Sequence, residues 1–209
     1  ESTSTDVGAT TDSYTVAAWV KMASTANCNT NDCSIVSKWD GTDSYPFIIW
    51  IDVAEKPYLE MNDGTFGPFT DTTNVPAIND DKWHYIVVAR NVAADRLELY
   101  IDGILQSTAT DTTTATMVNN DEISIGNGGG SYTTNDFNGQ IDEVKIYNYA
   151  RTSKQIIEDM NGGHPAGGSP VGSAVSNWKF DEGYGTTAND SYSQNGSETL
   201  TLSVNTAWT

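Results

Sequence analysis

LELYIDGILQS, residues 97–107, alternates apolar and polar side chains up to Asp102-Gly103 and resumes an apolar run directly after that pair. A two-residue turn between strands needs positive φ at its centre, which Gly adopts freely and Asp tolerates, so the stretch reads as a β-hairpin. The same period-two alternation, bounded by clusters of Gly, Asn, Asp and Pro, recurs outward in both directions. It predicts strands over 13–21, 33–38, 46–52, 56–62 and 83–91, over 96–101 and 104–110 at the hairpin, and over 123–126 and 137–147. So many short antiparallel strands imply an all-β chain folded as a two-sheet antiparallel sandwich. One short helix is expected near 152–161. There Thr152-Ser-Lys-Gln155 forms a capping box, Ile156, Ile157 and Met160 share one face, and Gly162 closes the last turn.

The body therefore spans 1–161. Residues 162–176, GGHPAGGSPVGSAVS, hold five glycines and two prolines and read as a flexible connector. The tail, 177–209, follows, with strand-like stretches at 175–180 and 199–204. About 33 residues cannot bury an independent core, so the tail must pack on its own body or on a neighbouring chain.

Composition narrows the function. Among 209 residues, 10 Lys and Arg stand against 28 Asp and Glu, a formal charge of −18, which argues against a nucleic-acid partner held by phosphate contacts. No apolar run approaches the roughly 20 residues of a membrane-spanning helix. Cys28 and Cys33 enclose Asn29-Thr30-Asn31-Asp32. With no other Cys and no neighbouring His they cannot build a four-ligand zinc site, and they read as a loop-stapling disulfide, the alternative being two reduced loop thiols. A disulfide places the protein outside the cell or on its surface.

Five stretches in order, YTVAAWVK (14–21), DDKWHYIVVAR (80–90), LELYIDGILQS (97–107), EISIGN (122–127) and FNGQIDEVKIYNYART (137–152), resemble the laminin-G-like jelly rolls of the concanavalin-A-like lectin and glucanase superfamily. The resemblance implies a jelly roll. It also makes the tail stand out, because WKFDEGYGTTANDSYSQNGSETL (178–200) is similar to the segment that opens such domains and here comes last. The first and last strands of the family are neighbours in one sheet. The tail is thus expected either to fold back onto its own body or to complete the exposed edge of another copy.

Glycosidases of this superfamily carry two glutamates in an E-x-D-x-x-E strand. The similar stretch here, Gln140-Ile-Asp142-Glu-Val-Lys145, has Gln and Lys at those positions, which argues against hydrolysis. Calcium is the expected cofactor, since hard Ca2+ takes six to eight oxygens. The resemblance points to Asp142 and to the loop from Asp190 to Asn195, in which Asp190 matches the family pattern and Gln194 replaces its usual Asn. Asp142 and Asp190 flank the connector, so a shared ion would couple metal binding to tail docking. For a ligand, aromatic groups in loops at the ends of the sandwich are the candidates: Trp39 with Asp40 and Tyr45, and Tyr132 in GGGSYTTND. Trp19, Trp83 and Trp178, in alternating strands, are expected in the core.

The resulting expectation is a non-catalytic extracellular recognition or adhesion module that binds a glycan or a surface protein and is stabilised by Ca2+. The alternative is a structural subunit of a fibre or tandem array, assembled by donation of the tail to the next copy. A glycoside hydrolase is the third and least favoured reading.

Overall fold

The structure is a computed structural model describing residues 7–28, 32–39, 41, 44–65, 67–119, 121–128, 135–162, 174–191 and 199–201. The strands are β1 (Tyr14–Lys21), β2 (Cys33–Lys38), β3 (Ser44–Ile51), β4 (Pro57–Asp63), β5 (Trp83–Asn91), β6 (Arg96–Ile101), β7 (Ile104–Thr110), β8 (Ile123–Ile125), β9 (Gln140–Tyr147), β10 (Ser176–Trp178), β11 (Thr187–Asn189) and β12 (Thr199–Thr201), with one α-helix, α1 (Ser153–Gly162), between β9 and β10. A six-stranded sheet runs β10-β9-β1-β5-β6-β7 and a four-stranded sheet β4-β3-β2-β8, with β11 and β12 as a separate pair. The all-β jelly-roll sandwich with one short helix is as expected. At the β6-β7 hairpin, Asp102 and Gly103 have φ of 52° and 77°, the left-handed geometry of a tight two-residue turn.

Alternation builds the core. Val16, Ala18 and Val20 of β1, Ile86 and Val88 of β5, and Leu97, Leu99 and Ile101 of β6 face Ile35, Phe47, Ile49, Ile51, Leu59 and Met61 of the four-stranded sheet, all of them buried. Arg90 lies fully buried at the end of β5. Its guanidinium donates to Asp111 Oδ2 at 2.7 Å, to Thr113 Oγ1 at 2.9 Å and to the carbonyls of Ala9, Thr10 and Asp12, tying the N-terminal segment to the loop after β7. A buried cation needs this full set of acceptors, because its desolvation is otherwise uncompensated.

The outer face of the six-stranded sheet is covered by α1. The capping box forms, with Thr152 N donating to Gln155 Oε1 at 2.9 Å and Gln155 N donating to Thr152 Oγ1 at 3.3 Å. Ile156 packs with Ala17, Tyr85, Val87 and Tyr100, while Trp19 and Met160 close over them. Arg151 clamps the helix from below: it ion-pairs with buried Asp159 and lies 4.4 Å from the Tyr147 ring centroid, and its backbone N–H donates to Thr15 Oγ1.

The tail strand β10 pairs antiparallel with β9 of the same chain, Ser176 opposite Ile146 and Trp178 opposite Val144. Trp178 is fully buried between the sheets, and Ala188 and Leu200 bring the β11-β12 pair onto the same core. Of the three tryptophans expected inside, only Trp178 is. Trp19 is half-buried under α1, and Trp83 is 41% exposed, because it opens β5 where the outer face is no longer covered.

Candidate functional site

The four-stranded sheet has apolar residues on both faces of β3. Phe47, Ile49 and Ile51 enter the core, whereas Tyr45, Ile48 and Trp50 form a separate buried cluster with Trp39 and Tyr58 packed against it. Directly paired residues on adjacent strands share a face. Trp50 stands opposite Tyr58 on β4 and Ser34 on β2, and Ile48 opposite Glu60 and Ser37, so these side chains make one outer surface. Bulges between Tyr45 and Ile48 and between Ser34 and Val36 turn the strands so that Tyr45 joins it.

The aromatic groups form a continuous row across the strands. Trp39 lies 5.4 Å from Tyr45 and 6.3 Å from Trp50 between ring centroids, and Tyr58 lies 6.5 Å from Phe69. Tyr45 and Trp50 are buried in the base of this row. Trp39 and Tyr58 are half-exposed, and Phe69 is 52% exposed on the rim, opposite Glu60. Polar groups fix the ring orientations. Trp50 Nε1 donates to Glu60 Oε2 at 2.8 Å, and Tyr58 OH donates to Asp32 Oδ2 at 2.5 Å. Burial, reinforced by the Asp32 carboxylate, pushes the Tyr58 phenol far above its usual range, so it stays a protonated donor at any physiological pH. Ser34 is fully buried beneath the row, and its Oγ has no hydrogen-bond partner among the described residues.

Two residues singled out from sequence, Trp39 and Tyr45, are thus neighbours in this cluster. Asp40 and Tyr132 lie outside the described residues. Trp50, Tyr58 and Phe69 were not anticipated, because each reads as one more apolar member of a strand or its flank. The available signal was the run Phe47-Ile-Ile-Trp-Ile51, apolar at successive positions where a strand with one wet face would alternate.

The predicted metal-binding residues sit on the other side of the sandwich. In β9, Val144 and Ile146 point into the core, yet Asp142 is paired with Trp19 on the outer face. The register slips by one residue between them, and Glu143 takes a left-handed φ of 50°. Without this bulge strict alternation would drive the Asp142 carboxylate into the core. Burial, with Glu143 and Asp181 nearby, raises the Asp142 pKa, although its Oδ1 accepts the Glu143 N–H at 2.8 Å. Asp190 is buried, bridges to Trp178, and accepts the Asn177 N–H at 2.9 Å on Oδ1. Gln194 lies outside the described residues. Among the described residues no three His, Cys, Asp or Glu side chains converge to hold a metal, so Asp142 and Asp190 do not by themselves form a closed calcium site. Lys145, at the position of the second glycosidase glutamate, is buried and paired with Glu143 at 2.9 Å.

Cys28 and Cys33 are joined as a disulfide with Cα atoms 5.4 Å apart, as the sequence predicts. The bridge closes the loop that carries Asp32, and hence the Tyr58 contact. No described helix is long and apolar enough to cross a membrane.

A family model described as concanavalin A-like lectin/glucanases superfamily, Laminin_G_3, matches residues 2–157, and the chain belongs to that family. Solved structures with the same fold include a putative carbohydrate binding protein from Bacteroides ovatus, 20% identical with a TM-score of 0.64, the match covering 91% of this chain and 54% of the other. The chain thus spans about half the length of that protein. The CBM40 of the Ruminococcus gnavus IT-sialidase bound to α2,3 sialyllactose is 16% identical with a TM-score of 0.57, covering 72% of this chain and 83% of the other. A heptameric SAP-like pentraxin from Limulus polyphemus is 16% identical with a TM-score of 0.56, covering 91% and 83%. No curated protein sequence matches the chain.

Proposed function

We propose that this member of the concanavalin A-like lectin/glucanase superfamily is a non-catalytic, extracellular glycan-recognition module. It binds through the outer face of the four-stranded sheet. The observation that carries the reading is the aromatic row Trp39, Trp50, Tyr58 and Phe69, fixed by hydrogen bonds and lying beside Glu60 and Asp32. Aromatic faces cover the apolar C–H faces of sugar rings, while fixed carboxylates and amides meet hydroxyl groups, the mixture expected of a small-molecule site. Fold neighbours that are carbohydrate-binding modules support this reading, as does the disulfide. In this proposal the half-exposed Trp39 and Tyr58 are the contact rings and the buried Tyr45 and Trp50 their support. Asp40 and Tyr132 belong to the same proposal through their neighbours Trp39 and Asn135, the latter donating to Asp32 O at 2.7 Å.

Titration of the full chain with a panel of oligosaccharides, followed by tryptophan fluorescence and calorimetry, tests the proposal. Binding that Trp39→Ala weakens about tenfold or more, equivalent to about 1.4 kcal/mol, with an unchanged circular dichroism spectrum, is the expected result. Binding unaffected by both Trp39→Ala and Tyr58→Ala removes this face from the function.

A calcium ion at Asp142 belongs to the proposal as a structural element rather than a ligand contact, since Asp142 lies on the opposite side of the sandwich from the aromatic row. Its support is the place of the half-buried Asp142 carboxyl on β9, the strand on which the tail leading to Asp190 docks, so that an ion shared with Asp190 and Gln194 would link body and tail.

A further inference from the structure

We infer that the aromatic face selects uncharged glycans and discriminates against sugars bearing a carboxylate or sulfate, an inference that rests on the glycan-binding reading above. The cations of the chain lie almost entirely away from this face. All 10 Lys and Arg fall within the described residues. The three arginines belong to the six-stranded sheet and its helix, where Arg90, Arg96 and Arg151 pair with Asp111, Glu98 and Asp159. Lys21, Lys82, Lys145, Lys154 and Lys179 lie on or beside that same sheet or on α1. Only Lys38 and Lys56 belong to the four-stranded sheet. Lys38 stands opposite Ile123, is 4% exposed, and donates from Nζ to Asp121 O at 2.7 Å. Lys56 precedes β4 and donates to the carbonyls of Thr72 and Thr73 at 3.0 and 3.3 Å. Alternation turns Lys38 to the face opposite Ser37 and Ile48, whereas Lys56 shares the face of Tyr58 two residues on and is tethered there to those two carbonyls.

The charged groups bonded to the rings of the row are acidic. Glu60 shares the face with Ile48 and holds Trp50, and Asp32 holds Tyr58. An anionic ligand stacked on Trp39 or Tyr58 would meet these carboxylates with no guanidinium to pair with, and the −18 of the whole chain repels it further. Hydroxyl groups, by contrast, are good donors to both acceptors.

The test compares each neutral sugar with its acidic counterpart on the full-length chain at low salt and with chelator present, so that no metal bridges an acid to the protein. Lactose against 3′-sialyllactose, and galacto-oligosaccharides against oligogalacturonate, are the probes, with gluco-, manno- and xylo-oligosaccharides completing the panel. The expected result is binding of at least one neutral member and affinity at least about tenfold lower for acidic members, a gap that narrows with added salt and in Glu60→Gln. An acidic sugar bound as tightly as its neutral parent, or more tightly, overturns this inference alone. A folded chain that binds no member of the panel overturns the glycan-binding reading, and this inference with it.

Discussion

Replacing Trp178 by alanine measures how strongly the tail belongs to its own body. Trp178 is fully buried in the core between the sheets, with Val144 directly across the β9-β10 pair. Removing a buried Trp side chain costs about 3–5 kcal/mol, from lost transfer energy and from the cavity left behind. A chain of this size loses about 2–4 °C of thermal midpoint per kcal/mol, so the midpoint should fall by about 6–20 °C. Tyr184→Ala, six residues further on and 82% exposed, is the control and should stay within about 0.5 kcal/mol of the parent. The assay is urea and thermal unfolding followed by circular dichroism, at several protein concentrations. A Trp178→Ala loss below about 1 kcal/mol would refute the docking of the tail onto its own sheet. A parent midpoint that rises with concentration would refute it too, since a strand supplied by another copy makes stability depend on mass action.

Three further outcomes are expected. Reducing the Cys28–Cys33 bridge, or replacing both residues by serine, should cost about 2 kcal/mol in the chain-entropy estimate for so short a loop, and should weaken glycan binding through the Asp32–Tyr58 contact; unchanged binding would sever that link. His84 lies between Asp102 at 2.8 Å and Asp80 at 3.0 Å, the latter also bound by Lys82. Burial lowers its pKa, but the two carboxylates more than offset this and hold it above the ordinary histidine value. With the folded pKa raised, its stabilisation is complete below about pH 6.5 and is lost as pH rises through the folded pKa. The parent should therefore exceed His84→Gln in thermal midpoint at pH 6 and converge with it at alkaline pH, and a constant difference would reject the ion-pair account. Finally, 1 mM Ca2+ should raise the midpoint of the parent above that in chelator and leave Asp142→Asn unmoved; identical parent midpoints would remove calcium from the proposal.

The strands were legible because one face of nearly every one is buried and the other is not, and the hairpin at Asp102-Gly103 because its backbone geometry restricts which residues fit. The docking of the tail was not decided by sequence, since an edge on β9 accepts the same β10 from its own chain or from another. The site was legible only in part. Trp39 could be singled out because it lies beyond the end of β2, in a loop, whereas Trp50 and Tyr58 sit inside strands whose apolar pattern does not say which of two faces is the core. Nor does strand alternation foresee the Glu143 bulge. That bulge depends on a left-handed backbone at a non-glycine residue and decides that Asp142 turns outward.

Why the aromatic row should lie on the four-stranded sheet follows from what the rest of the chain does. The outer face of the six-stranded sheet is occupied: α1 seals its centre through Ile156 and the Arg151–Asp159 pair, and β10 with Asp190 closes its β9 edge. On the four-stranded sheet no helix intervenes among the described residues, and the β4 edge is covered instead by 68–70, where Thr70 N–H donates to Leu59 O at 3.0 Å and Phe69 reaches the rim. An uncovered sheet face with buried tryptophan and isoleucine at its base loses stability unless other groups cover it, and here Trp39 and Tyr58 do so while each stays half-exposed. The same residues that protect the sheet from water are thus the ones available to a sugar. Substituting Trp39 should accordingly lower stability as well as binding, whereas Phe69, on the rim and half exposed, should affect binding with little change in stability.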